Sequence, residues 1–518
     1  MKNQIEEKDL HLSSGKGLSL YITISAAKGL QEIIKTNLGP KGSLKILVNS
    51  SGDIKITKEG SILLREMQIQ NPIASLIAKT IFSQKSYIGD GTTTKILLLG
   101  EVLKKMEIFL ENGIHPQILC EGIDLGRREL ERWLPSEGYQ INIDKKALLN
   151  VAYSVVSTKI NIKIAEKMSK ILVEAILTIF QKGYQLDLNM IEIMQIENHN
   201  EMDSRWVKGI VLDHGARHPD MPKLVNNAFI LLCNASLEYE KTDLNSRFVI
   251  CSTFQNENLF TKERRLIDKK IHKIIQLKRF VCKDKNRNFV IINQKGIDSS
   301  ALDLLAKEGI LGIRRAKRRN MERISVLCNC IPINSFDDLS TDCLGFAGLI
   351  YEQEIGEEKY TFIENVTNPF SGTILIKGKN SILRKQIEDS IKNTLKTLKE
   401  CIENQGILKG SGEIELQASE HLIKYSKKLK GKKKFGVEGL GLALLIIPKT
   451  LIHNSGNFDS KNSFGLLNKR NSSDSYVKKF KNNSIFDCFS VKKKIYDSVC
   501  LLSCQLLLID DIIMGKGM

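Results

Sequence analysis

Residues 89–94 read Gly-Asp-Gly-Thr-Thr-Thr and open a strongly apolar run from Lys95 to Leu110. A carboxylate between two glycines, followed by three hydroxyls at a helix start, suits a Mg2+-phosphate group. The glycines allow close backbone approach and positive φ. Free N–H groups and the positive end of a helix dipole favour an anion there. Asp90 supplies a hard oxygen for Mg2+, whose other positions go to water and phosphate. The same hexapeptide also serves as a polar turn that caps a helix, so the rest of the chain has to decide. It holds no Gly-x-x-x-x-Gly-Lys-Ser/Thr pattern, so a P-loop ATPase is not supported.

Holding those residues takes helices and a hairpin. Residues 18–38 carry helical periodicity that stops at Leu38-Gly39-Pro40. Leu44–Val48 and Ile54–Thr57 flank a short polar loop, which predicts a hairpin. Helical patterns then run from Ile62 to about Leu134. Between 146 and 210 a helix at Ile162–Gln181 mixes with a strand at Met190–Ile196. Residues 208–370 are the most strand-rich, with Phe248–Cys251, Phe289–Ile292 and Thr361–Ile363 as β segments. Two helices stand among them. Lys262–Lys278 sets Leu266, Ile267, Ile271, Ile274, Ile275 and Leu277 on one side, and Ser300–Glu308 groups Leu302, Leu304 and Leu305. After Gly372–Gly378, helices return at Ser381–Glu403, Ala418–Leu429 and Gly439–His453. An Asn/Ser/Lys-rich stretch, 457–485, precedes a last helix from Val491 to about Gln505. The two ends are alike and the middle differs, which predicts a domain interrupted by an insertion, with both termini in one unit.

A length of 518 residues implies two to four domains. Lys+Arg 77 against Asp+Glu 59 gives +18. That charge is spread along a Lys-, Ile- and Asn-rich chain, so no specific nucleic-acid partner is expected. Seven lysines between Lys424 and Lys434 lack the interleaved aromatics that stack on bases, and fit a solvated loop. The eleven cysteines form no Cys-x-x-Cys pair. Cys328 and Cys330 are too close for a usual zinc half-site, and Cys500 and Cys504 read as helix packing; buried free thiols are expected. No run of 18 or more apolar residues occurs and Met1–Asp9 is polar, so neither a membrane span nor a signal peptide is expected.

Several separate segments together resemble a group II chaperonin: Leu38-Gly39-Pro40-Lys41-Gly42, Gly52-Asp53-Ile54-Lys55-Ile56-Thr57, Gly89 to Thr94, and Asn293-Gln294-Lys295-Gly296-Ile297-Asp298. The middle is similar to the zeta class of the eukaryotic cytosolic chaperonin, CCT/TRiC, at Val211–Met221, Ser236–Asn245, Arg314–Arg323 and Asn334–Ser340. The likeness runs from about residue 15 to 456, weakens, and returns at Val491.

The resemblance implies a multidomain α+β chaperonin fold. Residues 1–145 and 404–518 would form a mostly α-helical equatorial ATP-binding domain. Residues 146–210 and 371–403 would form a small α/β intermediate hinge, and 211–370 a β-rich apical substrate domain with a helical lid protrusion. It implies ATP and Mg2+ as cofactors. It also implies paralogous subunits in a hetero-oligomeric double ring, unfolded polypeptides such as actin and tubulin as clients, and a cytoplasmic location. The Lys/Ile/Asn bias also fits a cytosol-like compartment of a reduced eukaryotic endosymbiont. Leu38, Gly39 and Pro40 would wall the nucleotide, Asp90 would hold Mg2+, and Gly91, Thr92, Thr93 and Thr94 would bond the phosphates. Gly410, Ser411 and Gly412 match a glycine-rich turn beside the nucleotide, and Asp487 an acidic residue that binds the ribose hydroxyls. Lys159 matches a lysine that senses the terminal phosphate, a surface lysine being the other reading. Ser300–Glu308 with Arg314–Arg323 resembles the client-contact region, where core packing is the competing role for each leucine. Leu44–Thr57 resembles a stem-loop that adds strands to a neighbour in the ring, with Leu506–Met518 as the partner strand.

The chain departs from the family at two positions that matter for hydrolysis. Its Lys-Asp-Gly turn is Lys58-Glu59-Gly60 here, and the Asp that orients or deprotonates the attacking water falls, by spacing from Gly410, on Asn393. An amide cannot accept a proton as a carboxylate does. Glu59 keeps the charge one methylene further out, and Asp389, one turn before Asn393, is a substitute candidate. The expectation is a subunit that binds Mg-ATP with reduced or absent hydrolysis; the other reading is a purely structural, non-hydrolysing member of the ring. A third departure is 457–485, where the family has a glycine-containing hairpin over the adenine.

Overall fold

The computed structural model describes residues 15–510 except 49–51, 53, 138, 141–143, 182, 198–200, 239–252, 284–286, 338, 357, 405 and 457–484. The segments 457–484 and 511–518 and the strand expected at Phe248–Cys251 therefore lie outside the described residues. Two units result, one drawn from Met1–Val173 with Lys385–Met518 and the other from Glu174–Arg384.

The first unit is built around the Thr92–Glu111 helix. Ile96, Leu97, Leu98 and Leu99 are consecutive, so they point all round the helix, and each is at most 1% exposed. A helix apolar on every side has to be surrounded. The helices Gly15–Lys35, Lys434–Leu444 and Phe489–Leu507 pack on it, and Pro116–Glu137 packs on the last two. The approach of Pro116–Glu137 to Lys434–Leu444 brings backbones together: a Cβ on Gly122 would stand 2.8 Å from the Gly436 Cα. The expected helix Gly439–His453 is two, Lys434–Leu444 and Ile446–Asn454. Pro448 explains the break, since it has no N–H to give the Leu444 carbonyl but fits the first turn of a new helix. By length and composition Lys434–Asn454 passes as a membrane span, which the sequence did not predict. With 61% of its apolar window buried, it serves as core of this unit.

Two small sheets flank these helices. Lys45–Val48 and Ile54–Thr57 pair antiparallel as the expected hairpin. Gly406–Lys409 lies between Phe486–Cys488 and Tyr139–Gln140, with Leu408 opposite Asp487. That pairing carries Asp487 to its place.

The second unit has a six-stranded sheet in the order Gly209–Leu212, Glu358–Val366, Gly345–Ile355, Leu224–Cys233, Asn288–Asn293, Leu311–Ile313. The last three strands run parallel and the others antiparallel. The helices Thr253–Val281, Ser299–Lys307 and Arg318–Cys328 contribute Ile271, Leu305 and Leu327 to its core. Asn293 explains its own motif: its buried amide donates to the Ala235 and Gly296 carbonyls and locks the turn after the strand. A second sheet joins Ile191–Glu197, Gly372–Gly378 and Arg205–Val207. Two expectations need correction here. Leu266 is 60% exposed, so it leaves the apolar side of its helix. Arg323 is no groove cation, because it is buried, paired with Glu192 and donating to the Asn189 carbonyl at 2.8 Å. Cys328 and Cys330 are buried, and burial pushes the Cys330 thiol up to about 12, which keeps it protonated.

Candidate functional site

The Thr92–Glu111 helix starts at Gly91, which sits in the left-handed region at φ 81°. The first amide satisfied there is that of Lys95, on the Gly91 carbonyl at 3.0 Å. The amides of Thr92, Thr93 and Thr94 thus have no partner within their helix, and these residues line a cleft of about 900 Å³ in the first unit. A Cβ on Gly91 would stand 2.3 Å from Ile495 Cδ1, so only glycine fits both the space and the φ.

Asp90, on the same lining, faces the Lys159 ammonium at 3.1 Å. Lys159 follows the Lys145–Ser157 helix, and its carbonyl accepts from Gln386 Nε2 at 2.8 Å. Burial works to lower the Lys159 pKa, but Asp90 and then Glu59 outweigh it and hold the ammonium above its ordinary value. Lys159 is therefore an ion-paired member of the cleft, and the surface-lysine reading is set aside.

Glu59 lies on the same lining, just before the Gly60–Glu66 helix and close enough for its charge to act on Lys159. Its Oε1 accepts from Ser61 Oγ at 2.8 Å, and both its oxygens accept from Asn393 Nδ2 at 3.2 Å. A carboxylate only accepts, so the Asn393 amide must present its nitrogen. The two positions where the sequence departs from the family, 334 residues apart, therefore touch. Asn393 is buried in the Ser381–Asn404 helix and does not line the cleft. Asp389 is off the lining too, and its charge joins those that hold Lys159 protonated.

Leu38, Gly39 and Pro40 form one wall, with Gly39 at φ 88°. Asn454 ties this turn down by donating to the Lys35 and Leu38 carbonyls at 3.0 and 2.9 Å. Ile447, Leu451, Ile452 and Ile485 add an apolar surface. Ser411, Gly412 and Asp487 complete the lining, while Gly410 sits off it, where a Cβ would come within 3.3 Å of Asp487 Cγ.

Several contributors escaped the sequence reading. Lys58 lines the cleft and donates to the Pro40 carbonyl at 2.9 Å, and burial lowers its pKa to about 8. Lys492 lines it beside Asp487, at 3.1 Å, and pairs with the fully buried Glu415. Its only sequence signal is a cation amid the apolar positions Val491, Ile495 and Tyr496. Asn454 gave a weaker one, a polar residue closing an apolar helix.

The sequence profile of the TCP-1/cpn60 chaperonin family matches residues 30–517. The human T-complex protein 1 subunit zeta-2 is 43% identical over 513 residues, covering 96% of each chain. The mouse T-complex protein 1 subunit zeta-2 is 41% identical over 510 residues, again covering 96% of each.

Proposed function

Since this chain belongs to the TCP-1/cpn60 chaperonin family, as a zeta-type subunit that assists protein folding, we propose that it binds Mg-ATP in the cleft and hydrolyses it slowly or not at all. The residues present fit such a ligand. Three amides without a helical partner and a helix dipole would meet the phosphates, and Gly91, at φ 81°, sets the left-handed turn that starts this helix. Asp90 offers the hard oxygen that Mg2+ takes, and bound Mg2+ supplies charge neutralisation to the phosphates. Lys159 stands ready for the terminal phosphate, Asp487 for the ribose hydroxyls, and the apolar surface around Leu451 for the base.

The observation that carries reduced hydrolysis is the Asn393–Glu59 contact. The amide donates towards Glu59 and has no proton-accepting nitrogen. Glu59 already accepts from both Asn393 and Ser61, so its oxygens are turned towards these donors. Asp389 lies off the lining and acts on Lys159 from there, which makes it a poor substitute.

In the same reading residues 1–145 with 404–518 are the equatorial domain, 146–210 with 371–403 the hinge and 211–370 the apical domain. Paralogous subunits of a double ring are the partners, unfolded polypeptides including actin and tubulin the clients, and the cytoplasm or a cytosol-like compartment the setting. The exposed Ile46 and Val48 on the hairpin suit strand addition to a neighbour. Single-turnover hydrolysis of Mg-ATP by the purified chain, with bound nucleotide followed in the same tube, is the test. Binding without product is expected; product at the rate of a working ATPase would overturn the reading.

A further inference from the structure

Beneath the Asp487 end of the cleft lies a buried cluster of charge. Lys492 puts its ammonium between two carboxylates, Glu415 and, at 3.1 Å, Asp487. Glu415 is 0% exposed and sits in the first turn of the Glu413–Lys428 helix, where the dipole favours an anion. Tyr496, one turn beyond Lys492, is buried against the same cluster. Asp487 and Lys492 line the cleft and Glu415 does not. The cluster thus runs from the packed interior to the one carboxylate at this end that a ligand can reach.

Such a buried triad needs a reason, because burying an ion pair is weak as a source of stability. Burial by itself pushes the Asp487 carboxyl up, towards its neutral form, and Lys492 opposes that. The salt bridge engages Asp487 Oδ2. We propose that Lys492, itself fixed by Glu415, is a positioning residue that orients the Asp487 carboxylate for the vicinal hydroxyls of a ribonucleotide. This rests on the nucleotide reading above and assigns its sugar selectivity to a pair that does not touch the base or the phosphates. A neutral carboxyl would offer a donor and a weaker acceptor. A carboxylate without its lysine would turn freely, and both would blunt recognition of a diol.

The test is calorimetric titration of the purified full chain with Mg-ATP and with Mg-2′,3′-dideoxy-ATP. The proteins are the wild type, Lys492→Met and Lys492→Met with Glu415→Gln. The wild type should prefer ATP by about ten- to hundredfold, the weight of hydrogen bonds to a charged acceptor. In Lys492→Met the preference should fall to within about threefold while dideoxy-ATP affinity is retained. The double variant removes the stranded Glu415 charge and keeps the test open should Lys492→Met alone fail to fold. A folded variant that keeps the wild-type preference would make Lys492 merely structural. Equal binding of the two nucleotides by the wild type would overturn the assignment of Asp487 to a diol. No binding of ATP by the wild type would instead overturn the nucleotide reading itself.

Discussion

In one pair of the cleft a carboxylate faces an ammonium, Asp90 against Lys159; in a neighbouring pair a carboxylate faces a neutral amide, Glu59 against Asn393. The two contacts are of similar length, yet they can do different chemistry. The first holds two charges that Mg2+ and phosphate can each take over. The second holds one charge and a group that accepts no proton through its nitrogen. In the reading proposed above, binding and turnover separate: the Asp90–Lys159 pair serves Mg-ATP, and the Glu59–Asn393 pair lacks a second carboxylate to act as a base. An amide facing Glu59 also avoids the repulsion that two facing carboxylates would carry.

The most direct way to break this comparison is to restore the missing charge. Glu59→Asp with Asn393→Asp should raise the single-turnover rate by about 10²–10⁴-fold, the usual weight of general base catalysis. Asn393→Asp alone should give less, because Glu59 keeps its carboxylate one methylene further out; the new carboxylate facing it pushes one of the two pKa values up. Its gain should therefore grow as pH rises. An unchanged rate in the double variant would mean that the Glu59–Asn393 pair was never the limit.

Damage to Asp90 or to the helix start should show in binding. Asp90→Asn should weaken Mg-ATP binding by about a hundredfold in a calorimetric titration, since it replaces a charged carboxylate with a neutral amide oxygen and takes from Lys159 its paired charge. Retained affinity would mean that Asp90 serves Lys159 alone. Gly91→Ala forces a Cβ into the left-handed region and to 2.3 Å from Ile495 Cδ1. It should destabilise the first unit by about 1–3 kcal/mol, read from urea unfolding, with weaker nucleotide binding alongside. A fully stable Gly91→Ala would mean that the helix start can shift away from Ile495.

What could be read in the chain follows from where the information lies. Gly89 to Thr94 is contiguous, so its turn and helix start are written in six neighbours. The hairpin Lys45–Val48 with Ile54–Thr57 is equally local, and it falls within a residue of the expected bounds. The resemblance singled out Glu59 and Asn393 one by one, but not their contact, because nothing local links residues 334 apart. Lys492 and Glu415 were missed since a buried ion pair looks, on each segment, like an exposed charge on an amphipathic helix. The division of Lys434–Asn454 was legible and overlooked: Pro448 marks it. Leu266 failed for another reason, as helical periodicity gives a face about 100° wide and the packing uses only part of it.

Two lysines sharpen the contrast between the two pairs with the smallest effect. Lys159, held by carboxylates, is shifted up; Lys58, buried against the Pro40 carbonyl, is lowered from 10.5 to about 8. For Lys159 the folded state binds its proton more tightly, so its stabilisation is complete below the unfolded lysine value and is lost only as pH climbs through the higher folded one. For Lys58 the signs reverse. Between about pH 8 and 10.5 the unfolded chain holds more protons than the folded one, so stability contributed by this residue rises with pH across that window. Lys58→Met removes that slope. At pH 7 the variant should melt about 2 °C above wild type, a modest gain because the lysine is partly screened by solvent. By pH 10 the gap should close, as wild-type Lys58 sheds its proton. A gap that stays constant from pH 7 to 10 would mean that Lys58 titrates as an ordinary lysine, as well solvated as one on the surface.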